Sequence, residues 1–274
     1  MHFAFSQQQM NHLRKYFWIA RISAQSNLSY TGDLVGRIVF LATVLFIFLQ
    51  LWRTTFSQTG SAQLGGLTLT QMLWYLTITE AILMSGPKVA QQTDEDVRTG
   101  ALAMQLVRPM SYGWYRLATA MGERYLRFAV NLAATAFVTF FLVGPLPCAA
   151  CGLILLAVSL PLAFLLDFLG NFWVGLAAFW LEDTNGLLLI YSRGVLIIGG
   201  SFIPLELYPP VVQPFLRWLP FANITGGPAH VFVDPNACDL LALLVRQLAG
   251  ALVLGAVVLV TYRAALQRVF VNGG

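Results

Sequence analysis

Long apolar runs separated by short polar connections set the plan of this chain. Runs of near-membrane length occupy about 34–52, 67–86, 125–146, 150–180, 187–203 and 239–262. A hydrocarbon core about 30 Å thick is crossed by about 20 apolar residues in a helix. The pattern therefore predicts an all-α integral membrane protein with six transmembrane helices, folded as one domain over 1–274. The fourth run is too long for one straight span. Asp167, Gly170, Asn171 and Pro161 lie within it, which predicts a kink, a strong tilt or a protrusion.

Three polar or mixed segments carry patterns of their own. Residues 10–28, within a cytoplasmic stretch 1–33, place Leu13, Tyr16, Phe17, Ala20, Ala24 and Leu28 on one helical face, with Arg14, Lys15, Arg21 and Gln25 elsewhere. Such a helix lies in the headgroup region, with Trp18 as an interfacial anchor. The connection 87–124 opens on Thr93-Asp94-Glu95-Asp96, read as an N-cap with acids at the positive helix end. Gly100 breaks direction, and a short helix Ala101–Val107 stops before Pro109. Leu102, Leu106 and Val107 share a face of it, and apolar residues held on a membrane surface point to docking of another protein. The last segment, 204–228, is rich in proline: its apolar residues are too many for a free loop and its prolines too dense for a span. Short re-entrant helices in the outer leaflet, covered by protein, fit this composition.

Composition agrees with the pattern: 58% of residues are hydrophobic and 10% charged, outside the range of soluble domains. The net charge of +4 is distributed unevenly. Arg14, Lys15, Arg21, Arg37, Lys88, Arg98, Arg108, Arg116, Arg124, Arg127, Arg263 and Arg268 fall on one side of a six-span topology, whereas Arg53 and Arg217 fall on the other. The bias puts both termini in the cytoplasm and accounts for the charge without nucleic acid. Cys148, Cys151 and Cys238 fall on the outer side, too few for zinc with no further ligands near, and are read as small, inert, buried residues.

No catalytic motif is present. The only lysines, Lys15 and Lys88, follow Arg14 and Pro87, so there is no phosphate-cradling loop. His2, His12 and His230 are scattered, and Ser192 lacks a nucleophile-elbow setting. Four ionisable or polar groups remain within the spans: Glu80, Asp167, Asn171 and Arg246. Charges at that depth face a cavity or a partner. They mark either a substrate or proton path or interhelical pairing that fixes packing. Glu80, with no second acid one turn away, is expected to sit in a polar contact rather than in a proton relay.

Several elements together resemble the permease subunits of type-2 ATP-binding-cassette exporters. They are the Thr99-Gly100-x-Leu102…Leu106-x-Arg108-Pro109-x-Ser111 element, Phe179-Trp180-Leu181-Glu182-Asp183, and Ile203-Pro204-Leu205-Glu206-Leu207-Tyr208-Pro209 followed by Leu219-Pro220-Phe221. Ala101 stands where members often carry an acidic residue. The resemblance implies a coupling helix with Arg98, Thr99, Gly100, Leu102, Leu106, Arg108 and Pro109 against an ATPase groove. It also implies an outer gate containing Pro204, Glu206, Pro209 and Pro220. It further implies a second permease copy (a homodimer or a homologous heterodimer), two cytoplasmic ATPase subunits carrying ATP and Mg, an amphipathic substrate and a bacterial plasma or inner membrane. No catalysis and no cofactor are expected on this chain itself. A proton-coupled secondary transporter using Glu80 and Asp167, or a non-transporting assembly subunit, is the competing reading.

Overall fold

The computed structural model describes residues 15, 18–23, 31–107, 110–147 and 149–272; the side chains of 31–35, 37–38, 106 and 268–272 are not described. Among them the regular elements are helices, with one isolated bridge joining Leu64 and Leu67. Helix α1 spans Thr31–Thr59 and α2 Leu69–Met84; α3 is Val89–Arg98 and α4 Ala101–Leu106. The long helices α5, Tyr112–Val143, and α6, Ala149–Leu176, follow, and then α7, Asn185–Ile197. Three short helices, α8 Gln213–Trp218, α9 Pro220–Ile224 and α10 Gly226–Val233, lead into α11, Ala237–Asn272.

Among the described residues, four segments are long and apolar enough to cross a membrane: Val39–Thr59, Tyr112–Val143, Ala149–Phe179 and Ala237–Gln267. The other two expected spans are shorter. Helix α2 has 16 residues and α7 has 13, so at 1.5 Å per residue they reach only about 24 and 20 Å. The run expected at 187–203 stops at Ile197, because Gly200 takes a φ of 74° and Pro204 follows. The third span starts earlier than its apolar run, since the amphipathic stretch from Tyr112 continues into it as a single helix of 32 residues. Helix α6 passes through Pro161 without ending.

Helix α2 is the centre of the bundle. Every residue from Met72 to Ile82 is buried, as expected of a helix apolar on all sides. Its start is fixed by a capping box, in which Thr68 accepts from the Gln71 amide while the Gln71 side chain accepts from the Thr68 amide. Helices α5, α10 and α1 pack around it, and α11 packs chiefly on α6. Outward-facing residues such as Phe137, Phe141, Leu252 and Val260 form an exposed apolar belt.

The two ends of the bundle differ in construction. At one end α3 and α4 join Tyr112, Phe172, Leu176 and Val258 in a small core of their own. At the other, Leu205, Leu216 and Ala222 form a second cluster within the proline-rich segment. The short helices expected there are present, with Pro214 and Pro220 in their first turns, where a missing N–H costs nothing.

Of the expected N-terminal helix, only part lies within the described residues. Residues 18–23 are helical, and the backbone of Ala20 packs directly on Gly122 of α5. Arg21 stacks over Trp18, 5.1 Å from the ring centre. Cys151 and Cys238 are free and exposed, which corrects the expectation of burial; Cys148 lies outside the described residues.

Candidate functional site

Among the described residues, polar groups gather at three places: a foot built from α3 and α4, a cavity beside Asp167, and a second cavity within the proline-rich end.

The foot begins at Val89, directly after Pro87 and Lys88, and this corrects one expectation. Thr93 does not cap the helix; it lies inside α3, fully buried. The acids that follow it are therefore mid-helix, and Asp94 and Asp96 are both engaged while Glu95 is exposed. Asp96 accepts from Arg116 and, at 2.7 Å, from the Tyr112 hydroxyl. Arg116 also donates to the Gln92 side chain at 3.0 Å. Asp94 accepts from Arg98 at 2.7 Å and from Thr184 at 2.8 Å. Partial burial pushes the Asp94 carboxyl up, but these hydrogen bonds outweigh it and hold the group below its ordinary value. The foot is thereby tied to α5 and to the connection after α6. Against α6 itself the approach is closer still: a Cβ on Gly175 would lie 2.6 Å from that of Thr93 and 2.9 Å from the Ala90 carbonyl oxygen, so α3 and α6 meet here with only the short Thr93 side chain between them.

Gly100 turns the chain with a φ of 73°, a conformation that glycine adopts without steric cost. Thr99 bonds back to the Glu95 carbonyl at 2.7 Å. Helix α4 then presents its apolar residues in two directions. Leu102 is 2% exposed and belongs to the small core, whereas Met104 and Val107 are 72% and 86% exposed. The shared outward face expected for Leu102, Leu106 and Val107 is thus corrected: Leu102 anchors the foot, and Met104 takes its place outside. The Leu106 side chain, Arg108 and Pro109 lie outside what is described.

Asp167 and Asn171 come together as their spacing implies, and two residues that sequence reasoning did not place join them. Asp167 accepts from Arg124 at 2.5 Å, from Tyr191 at 2.9 Å and from Asn171 at 3.0 Å. Arg124 is 2% exposed and sits over the Phe164 ring, 4.2 Å from its centre. The cluster borders a cavity of about 380 Å³ whose other walls include Leu83, Lys88, Leu188, Leu189 and Ile224. The apolar pattern of the sequence places Arg124 only among the connecting basic residues. Its signal was the stripe Ala120, Arg124, Phe128, Asn131, Thr135 and Thr139, spaced three or four apart and all buried. Tyr191 carried no such mark.

Glu80 is not part of this site. It is 5% exposed, does not line the cavity, and among the described residues no hydrogen bond or ion pair is recorded for it. The polar contact expected for it is not made among the described residues, and the neighbouring threonine hydroxyls are engaged elsewhere. The Thr77 hydroxyl is shared between the Leu73 carbonyl and Thr139, and that of Thr79 between the Leu76 and Ser201 carbonyls.

The outer-gate residues converge only in part. Pro204 is buried and Pro209 exposed; Pro220 begins α9. Glu206 faces His230 at 3.3 Å and Arg217 at 3.7 Å. It lines a second cavity, of about 360 Å³, together with Arg246. Residues 222–225 divide the cavities, with Ala222 and Asn223 on one and Ile224 and Thr225 on the other. Among the described residues no His, Cys, Asp and Glu group could hold a metal.

The model of the ABC-2 family transporter proteins matches residues 39–273. The chain belongs to that family. It is a membrane protein and a permease subunit of a type-2 ATP-binding-cassette transporter, a class whose membrane subunits work with an ATP-binding-cassette partner. No curated protein matches the chain.

Proposed function

We propose that this permease subunit exports an amphipathic substrate, driven by separate ATPase subunits that bind its α3–α4 foot. The single observation behind this reading is the division of labour in α4, where Leu102 is anchored in the core while Met104 and Val107 stand exposed beside it. A helix pair clamped through Asp94 and Asp96 of α3 and apolar on the outer face of α4 is suited to transmit a push. Helices α2 and α7 complete six crossings, their shortness being accommodated by the protein around them. The foot and both termini face the cytoplasm and residues 204–228 face outward, following the basic bias. A second permease copy, identical or homologous, completes the transporter in a bacterial plasma or inner membrane; ATP and Mg belong to the ATPase. The cavity beside Asp167, with aliphatic walls and a few convergent polar groups, suits an amphipathic molecule.

Met104→Asp together with Val107→Asp should leave membrane insertion intact and abolish both ATPase capture and transport. Retention of both activities would remove the assignment. Sidedness is tested separately by Val107→Cys and Val211→Cys in a cysteine-free background. An impermeant thiol reagent should label only Val211→Cys from outside intact cells.

A further inference from the structure

We propose that the cavity within the proline-rich end is a binding site for a phosphate-bearing headgroup, with Arg246 as its principal ligand and Arg217 beside it. The inference rests on the export reading only for what the headgroup is used for, because residues of this one chain build the cavity.

Besides Tyr75, whose hydroxyl donates to the Gly200 carbonyl, five charged or titratable groups line this space: Glu206, Arg217, His230, Asp239 and Arg246. Their pairing is uneven. Glu206 is held between His230 and Arg217, so its charge is already countered. Asp239 is exposed, two turns from Arg246 on the same face of α11. Arg246 is only partly exposed. Among the described residues no ion pair or hydrogen bond is recorded for its guanidinium, and its Nε is fully buried without an acceptor.

A buried donor left without a partner marks either strain or a missing ligand. A charged group within a membrane helix faces a cavity or a partner of opposite sign. Here the cavity is present, at about 360 Å³, and within the range that holds small ligands. The planar guanidinium offers paired N–H donors that match phosphate oxygens two at a time. Leu205, Ala222 and Leu243 supply an apolar wall nearby, suited to the tail attached to such a headgroup. A free phosphate ion shares the headgroup's chemistry but would make no use of that wall.

The test is thermal unfolding of the full-length protein in neutral detergent, titrated with phosphatidylglycerol, with diacylglycerol, and with inorganic phosphate. Phosphatidylglycerol should raise the unfolding midpoint to saturation, and Arg246→Gln should raise the half-saturating concentration at least about 10-fold. Arg246→Lys, which keeps the charge and loses the fork, should fall between. Arg217→Gln should weaken binding by a smaller factor and carries the test if Arg246→Gln does not fold. Lys88→Gln, at the other cavity, should change nothing. An equal, Arg246-dependent shift with inorganic phosphate assigns the site to the free ion and upholds phosphate recognition. The proposal is overturned if neither phosphate source gives a saturable shift, if diacylglycerol gives the same one, or if the shift survives both arginine substitutions. The readout needs no ATPase, so its failure is separate from failure of the coupling reading.

Discussion

Arg124 and Arg246 are the same residue set into two helices of one bundle, in opposite circumstances. Arg124 has a carboxylate at 2.5 Å and an aromatic face beneath it, and only its Nε, like that of Arg246, is buried without an acceptor. Arg246 has a cavity and, among the described residues, no acceptor. The first closes a contact between α5 and α6 and fixes one wall of a chamber. The second leaves its donors available. A charge in the membrane is therefore informative only once its partner is known: paired, it reports on packing, and unpaired, it reports on what the chamber takes.

The sharpest way to break this contrast is to remove one member of the closed pair. Asp167→Leu strands a buried guanidinium and should destabilise the protein by about 3–5 kcal/mol in detergent unfolding. Adding Arg124→Met should restore most of that loss, since an apolar pair of similar volume replaces the ion pair at little cost. Gly175→Ala forces apart the contact with Thr93 and should cost about 1–3 kcal/mol by overpacking, with transport falling further than folded yield. Thr93→Gly in that background should recover part of both. Arg246→Gln breaks no bond within the chain, and its unfolding midpoint without added ligand should move by less than about 1 kcal/mol. A loss matching that of Asp167→Leu would mean that Arg246 is also a packing element.

The smallest expected effect lies in the foot. The folded Asp94 carboxyl titrates below its ordinary value of 3.8. A depressed folded value means that its contribution is complete above the unfolded value and fades as the pH falls through the folded one. Protease access to residues 87–111 should therefore be independent of pH above about 5 and rise only in stronger acid. Asp94→Asn should remove that acid-dependent step.

The sequence made the helical class, the long spans and the direction-breaking Gly100 readable because each follows from a period or a single backbone preference. The same holds for the Asp167–Asn171 pair, one turn apart. What could not be read was rotation and partnership. Leu102 and Val107 share an apolar character and differ in exposure because α4 is pinned by Tyr112 and Phe172, which lie elsewhere in the chain. The Thr93 cap failed because Val89 and Ala90 found burial against α6 and started the helix earlier. The sequence pattern puts Arg124 in a connection because the apolar run begins after it, whereas the helix begins twelve residues before it, at Tyr112. Glu80 is where local reasoning about a carboxyl and its threonines gave an expectation that those threonines, bonded elsewhere, do not meet.

The contact at Gly175 carries a mechanical consequence. Where a glycine meets a short β-branched side chain and a carbonyl there is no long flexible side chain to absorb travel, so α3 and α6 have little play between them. Asp167 lies on the same rod, about 12 Å further along it. A displacement of the foot arrives at the chamber wall at nearly full amplitude, and a linkage without slack works with a short stroke.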